Sequence, residues 1–238
     1  MQLINLLYPP ACPLCHERTG VSPSVLCANC LGSCERCGPV VCQRCGMGLP
    51  GAFDARLVCA GCRKRPLTFE MARAPWTYTG PIREAIHRFK YAHHWRIGRW
   101  LAREMSLVAS AAAPLAEVDA IVPVPLHWIR RRLKGFDHAA FLAQDVAGLL
   151  RKPCATGVLR KRRWTRSQTR LTGHARVQNV QDAFTADERG LRGMSVMLVD
   201  DVLTSGATAN ACAKALKAAG ARRIAVLTAA RASCSQDG

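Results

Sequence analysis

Acidic side chains are scarce in this sequence. Only 16 Asp and Glu stand against 34 Lys and Arg, which gives a formal charge of +18. That excess favours contact with a polyanion. Long apolar runs are missing as well. No segment reaches the roughly 18 uncharged apolar residues of a membrane-spanning helix, and the richest candidate, SLVASAAAPLAEVDAIVPVPL, is interrupted by Glu117, Asp119 and three prolines. The opening MQLINLLYPPAC lacks the basic start and apolar stretch of a secretory signal. The expectation is a soluble, cytoplasmic protein whose thiols stay reduced. No helix-turn-helix and no arrangement aimed at a DNA groove is visible. Cysteine is nearly absent from the later sequence, because ten of the 13 lie between Cys12 and Cys62.

Those ten form five C-x-x-C pairs. In a reducing compartment such pairs read as metal sites before disulfides. Zinc takes four thiolates in a tetrahedron, and a C-x-x-C turn supplies two of them. Eleven residues separate Cys15 from Cys27, and 13 separate Cys45 from Cys59. This spacing places Cys12, Cys15, Cys27 and Cys30 on one structural Zn²⁺. A second Zn²⁺ falls to Cys42, Cys45, Cys59 and Cys62. The Cys34/Cys37 pair is left over, and a third or exchanged site using it stays open. Apolar residues are too few here for a separate core, so metal must hold residues 1–66 together. Residues 1–72 carry a charge of +3 from side chains, which eight thiolates and two Zn²⁺ bring to about −1, whereas residues 73–238 carry +15. The basic character therefore belongs to the second domain, residues 67–238.

That domain alternates strands and helices. A strand is expected over 69–78, then a helical pattern with Pro81 in its first turn and a break at His93 and His94. A short strand over 119–127 and an amphipathic helix over 135–151 follow. Residues 152–193 are polar and irregular with weak strand candidates. Strand 195–199, helix 206–219 and strand 223–229 close the chain. Continuous apolar strands separated by helices make a parallel α/β sheet, with ligands at the carboxyl ends of its strands.

The stretch SVMLVDDVLTSGAT then acquires a meaning. Asp200 and Asp201 fall at a strand's end, and Thr204, Ser205, Gly206, Ala207 and Thr208 form the turn into the next helix. Gly206 permits a turn closed to other residues. N–H groups of such a turn and the helix start bind an anion. Carboxylates repel a phosphate, so they must contact another part of the same ligand. Vicinal sugar hydroxyls about one sugar away from a 5′-phosphate fit.

This stretch resembles the signature of the type I phosphoribosyltransferases. The resemblance implies that Asp200 and Asp201 hold the ribose hydroxyls of phosphoribosyl pyrophosphate (PRPP), that Thr204–Thr208 cradle its 5′-phosphate, and that Mg²⁺ bridges ribose and pyrophosphate. The fold it implies is a type I phosphoribosyltransferase-like parallel sheet flanked by helices, with a small zinc-ribbon module in front. Three further segments, YTGPIREAIHRFKY (78–91), PVPLHWIRRRLKGFDHAAFLA (123–143) and LRKRRWTRSQTRLTGHARVQNVQDAF (159–184), together with the cysteine pairs, are similar to the ComF family associated with DNA uptake in competence. The match spans nearly the whole chain. Departures lie at Lys134, Asp137 and His138, where the family has Arg, Asn and Gln, and in the extra Cys34/Cys37.

By that resemblance the loop Val124, Pro125 and Leu126, with Arg130, Arg132 and Lys134, contacts pyrophosphate. The segment holding Arg160, Lys161, Arg163, Trp164, Thr165, Gln168, Arg176 and Asn179 either folds over PRPP as a hood or grips a nucleic-acid backbone while Trp164 stacks on a base. HHWR at 93–96 is a weaker version of the same combination. Two functions follow. One is a phosphoribosyltransferase acting with Mg²⁺ on an unidentified acceptor. The other is a non-enzymatic module that senses PRPP or docks a partner such as a competence helicase, and that binds single-stranded DNA without sequence preference.

Overall fold

A computed structural model describes residues 11–19, 24–49, 57–126, 136–161, 183–188 and 190–233. In the cysteine-rich segment two short helices, α1 (Ala28–Gly32) and α2 (Ala60–Lys64), each start at a cysteine. Cys27 and Cys59 sit in extended backbone, and their sulfurs accept from the N–H groups of Cys30 and Cys62, a capping role usually filled by oxygen. The segment is an internal repeat. Cys12 N–H donates to Glu17 and Cys42 N–H to Met47, both at 2.7 Å, and the bridges Ala11–Arg18 and Val41–Gly48 correspond.

The expected strand over 69–78 is two pieces, β1 (Met71–Arg73) and β2 (Trp76–Thr77). Between them Pro75 lacks the N–H that a continuous ladder needs. Helices α3 (Gly80–Tyr91) and α4 (Trp95–Ala111) follow, then the single turn α5 (Ala113–Ala116). The break falls at residues 92–94, where His93 is left-handed with φ 51°. Strand β3 (Ala120–Pro123) leads to α6 (His138–Leu150). The irregular stretch contains β4 (Leu159–Lys161) and β5 (Phe184–Ala186), paired antiparallel. Strand β6 (Ser195–Leu203), α7 (Ala207–Ala218) and β7 (Arg223–Arg231) complete the order.

β1, β2, β7, β6 and β3 form one parallel sheet; β1 and β2 both lie along β7, and β6 separates β7 from β3. Side chains alternate across it. Met197, Val199, Ala225 and Leu227 join the core under α3, α4 and α6. Val196, Leu198, Ile224 and Val226 join the core under α7. With both faces covered, the strands read as unbroken apolar runs. No helix among the described residues is long and apolar enough to cross a membrane.

The two ribbons dock differently. Cys12, Val25, Leu26 and Cys27 share the larger core with Trp76 and Phe89, and Arg88 of α3 donates to the carbonyls of Pro13 and Leu14. The second ribbon forms a small cluster of Cys42, Cys45 and Cys59 and lies against β1 through the Ala72 N–H bond to Arg44, at 2.8 Å.

Candidate functional site

Each predicted cysteine tetrad is assembled. The sulfurs of Cys12, Cys15, Cys27 and Cys30 lie within 4.8 Å of one another, as do those of Cys42, Cys45, Cys59 and Cys62. Sulfurs about 2.3 Å from a tetrahedral centre stand about 3.8 Å apart. Cys15–Cys27 at 3.5 Å and Cys45–Cys59 at 3.8 Å agree with that edge. The all-thiol donor set fits zinc. Burial raises the Cys12 and Cys42 thiols, but N–H groups of Cys15 and Cys27 around the first, and of Cys45 and Cys59 around the second, outweigh it and bring each down to about 6. Cys34 lies outside both tetrads, its thiol on the Cys30 carbonyl at 3.1 Å, and burial lifts it to about 11.

The two adjacent carboxylates lie at the carboxyl-end half of β6. The strand runs to Leu203, four residues beyond the expected end, so Asp200 and Asp201 are inside it and Asp200 is opposite Thr228. The cause is the neighbour: β7 continues to Arg231 and keeps pairing with Val202 and Leu203. The turn Thr204–Gly206 follows, with Thr204 and Ser205 exposed and Gly206 buried at φ 77° in the N-cap position of α7. That left-handed backbone favours glycine. Ser205 Oγ accepts from Ala207 N at 3.4 Å, and Asn210 Oδ1 accepts from Thr68 N at 2.6 Å, holding the helix start against the residue before Phe69.

The charge around this corner is compensated by a residue the sequence reading left without a role. Lys90, at the end of α3, reaches Asp201 Oδ2 at 2.7 Å, with both side chains largely buried. Burial alone would lower the Lys90 ammonium, but Asp201 beside it, with help from Asp200, holds it above its ordinary value. Asp200 has a weaker share of that cation. Burial, the Asp201 charge and the more distant Asp137 push its carboxyl up to about 8, against the pull of Lys90 and the Asp201 N–H, which donates to Asp200 Oδ1 at 2.8 Å. The Lys90 carbonyl bonds His138 Nε2 at 2.7 Å, and the buried His138 ring lies edge-on to Phe89 and Phe136. Asp137 caps α6 by accepting from Ala140 N at 3.1 Å, a task Asn and Asp perform alike.

Of the predicted pyrophosphate loop, Val124 is buried and its N–H is taken by Val199 at 2.9 Å, so it extends the sheet. Pro125 and Leu126, together with Asp137, Gln144, Arg160 and Lys161, line a cavity of about 710 Å³ beside β3. Arg130, Arg132 and Lys134 lie outside the described residues, as do Arg163, Trp164, Thr165, Gln168, Arg176 and Asn179. Lys161 stands 5.4 Å from the Phe184 ring centre, and Arg160 is exposed. Trp100 is buried against Trp76, with ring centres 5.6 Å apart. Trp95 instead is 45% exposed, edge-on to Phe136.

Fold and site together define a phosphoribosyltransferase-type α/β domain joined to a cysteine-rich double ribbon. Residues 3–63 match the family model described as a double zinc ribbon domain, and residues 134–237 match the phosphoribosyl transferase domain. Competence protein F of Haemophilus influenzae is 29% identical over 229 residues, covering 93% of this chain and 96% of that one. DNA utilization protein YhgH of Salmonella typhimurium is 30% identical over 225 residues, with the same coverage of 93% and 96%. Competence protein ComFC of Bacillus subtilis is 25% identical over 197 residues, covering 80% of this chain and 77% of that one. The chain belongs to the ComF family.

Proposed function

We propose that this protein binds PRPP, transfers its phosphoribosyl group with Mg²⁺ to an acceptor, and serves DNA uptake in the cytoplasm. The reading divides the chain at residues 66 and 67 into a zinc module and a catalytic domain. The observation that carries it is the juxtaposition of Asp200 and Asp201 with the Thr204–Thr208 turn at one end of the sheet. The turn's N–H groups and hydroxyls suit a 5′-phosphate. The two carboxylates accept hydrogen bonds from the ribose 2′- and 3′-hydroxyls, and the ribose displaces Lys90 from Asp201. Lys90 then offers its charge to the anionic end of the ligand. Mg²⁺ bound together with the ligand would offset negative charge on the leaving group. The bond from the anomeric carbon to pyrophosphate breaks, the bond to the acceptor forms, and the acceptor loses a proton. Positioning and charge stabilisation supply the rate. Calorimetric titration of PRPP with Mg²⁺ into zinc-loaded protein, followed by pyrophosphate detection, tests this. Binding that disappears in Asp200→Asn/Asp201→Asn supports the reading; absence of binding by the unaltered protein overturns it.

A second reading is a PRPP sensor that holds single-stranded DNA and docks a protein partner. It is supported by the names of the relatives and by one surface. Trp95 and Tyr91 are 45% and 57% exposed at the α3–α4 corner. Beyond them, exposed Arg96, Arg99 and Arg103 follow helical spacing on one side of α4, and none forms an ion pair within the described residues. Rings that stack on bases beside cations that follow phosphates are the elements of single-strand binding. Replacing all three arginines with Gln should cut affinity for an oligo(dT) probe and lower the salt slope by about 2. An unchanged slope would remove this face from the DNA site.

A further inference from the structure

We infer that Arg231 couples the second ribbon's metal site to the phosphate turn, so that the turn's order and its ligand affinity depend on zinc at Cys42, Cys45, Cys59 and Cys62 and not on zinc at the first tetrad. The ligand part of this inference rests on the phosphate reading above; the structural part does not.

Arg231 is the last residue of β7 and is only 9% exposed. A guanidinium carries five N–H donors, no acceptor and a permanent charge, so burying it requires partners. It finds them on two sides. Nε donates to the Cys45 carbonyl at 3.0 Å, and Nη2 lies 3.7 Å from the Cys45 sulfur. Nη1 donates to the carbonyls of Leu203 at 2.9 Å and Thr204 at 2.6 Å, where β6 becomes the phosphate turn. One planar group thus fixes a zinc knuckle and the entry to the turn at the same time. Among the described residues no carboxylate pairs with it. Four thiolates around Zn²⁺ carry a net charge of −2 and supply the missing counter-charge.

A second contact reinforces the link. Arg44 in the same knuckle donates to the carbonyls of Leu67 and Phe69 at 2.6 and 3.0 Å. The Phe69 ring in turn reaches to 3.9 Å from where a Gly206 Cβ would stand. Among the described residues no side chain joins the first ribbon to the turn in this way. Arg88 contacts its knuckle at Pro13 and Leu14, but the carboxylate it pairs with is Glu84 on its own helix.

The experiment compares Cys62→Ser, which damages the second tetrad, with Cys30→Ser, which damages the first. Amide exchange of residues 203–208 is followed in the ligand-free full chain, and PRPP is titrated in parallel. Cys62→Ser should speed exchange in the turn at least tenfold and weaken PRPP by a similar factor. Cys30→Ser should change both less than twofold. Arg231→Lys keeps the charge and loses the fork. It should retain two zinc ions per chain yet show the faster turn exchange, and it decides the matter if Cys62→Ser fails to fold. Equal exchange in the two cysteine variants, or wild-type exchange in Arg231→Lys, overturns the coupling. If exchange follows this pattern but the unaltered protein does not bind PRPP, the coupling stands and the phosphate reading falls.

Discussion

The cysteine tetrads and the Asp200–Asp201 corner both gather groups of like charge, and they relieve the repulsion in opposite ways. A tetrad relieves it with a metal ion, whose binding free energy is also folding free energy. The corner relieves it with Lys90 on one carboxylate and an upward-shifted carboxyl on the other. The first arrangement suits a part that must never open. The second suits a part that must exchange its partner for a ligand. A lysine is a mobile point charge on a flexible stem, and under the proposed function it leaves Asp201 when the ribose hydroxyls arrive.

Metal removal separates the two arrangements by the widest margin. A strong chelator should unfold both ribbons, with each site worth on the order of 10 kcal/mol, while the parallel sheet survives. Release should come in two phases. Cys15 in the first tetrad is exposed, whereas no cysteine of the second is. A zinc-sensitive dye in stopped flow, with Cys15→Ser as marker, would assign the phases. A single phase would mean that exposure does not control release.

A smaller effect separates the two ribbons themselves. His16 and Gly46 follow the second cysteine of equivalent knuckles and share the left-handed backbone, φ 64° and 67°. Only the second faces a wall, because a Cβ on Gly46 would stand 2.6 Å from the Ala72 carbonyl oxygen. Gly46→Ala should cost about 3 kcal/mol. His16→Gly should stay within about 1 kcal/mol, since relief of the left-handed strain offsets the added chain entropy. Urea melts of both variants with zinc in excess would test this, and equal losses would refute the role given to Ala72.

Much of this was legible in local spacing. The intervals between cysteine pairs are set by how far a short loop must reach to close a tetrahedron, so they identify the two tetrads. The run from Ser195 to Thr208 carries strand, acids, glycine and helix in chain order, and the structure keeps that order. What escaped depends on distant partners. β6 runs past Asp200 because β7 stays paired with it, and no local pattern reports a neighbour's length. Lys90 lies 111 positions before Asp201, and its role depends on where α3 ends relative to the sheet. Arg231 looked like one more basic residue near the end of a basic chain, although its partner Cys45 is 186 positions away. Trp95 and Trp100 stand five positions apart in one helical pattern. They separate only when α4 is packed, one facing Trp76 and the other solvent.

The smallest expected effect, and the one most specific to the corner, is a pH dependence. Asp200 ionises in the unfolded chain near the usual 3.9, but in the folded protein burial and the charge of Asp201 hold its proton until about pH 8. Between those values the folded state binds more protons than the unfolded one. Stability contributed by this group is therefore present at low pH and lost as pH rises from about 4 to about 8. Partial solvent access at Asp200 discounts the cost of that shift to about 2 kcal/mol at pH 8.5, or a melting shift of about 5 °C for a chain of this size. Asp200→Asn removes the titrating group, so it should melt above the unaltered protein at pH 8.5 and converge with it toward pH 5. The carboxyl faces Asp201 on its own strand, Lys90 on α3 and Asp137 before α6. Lys90→Gln should accordingly steepen the loss at alkaline pH, and Asp137→Asn should soften it. Calorimetric melts of the four proteins across that range, with zinc held constant, make the comparison. Parallel curves for Asp200→Asn and the unaltered protein would show that the corner carries no strained carboxyl, and that Lys90 relieves its repulsion without a held proton.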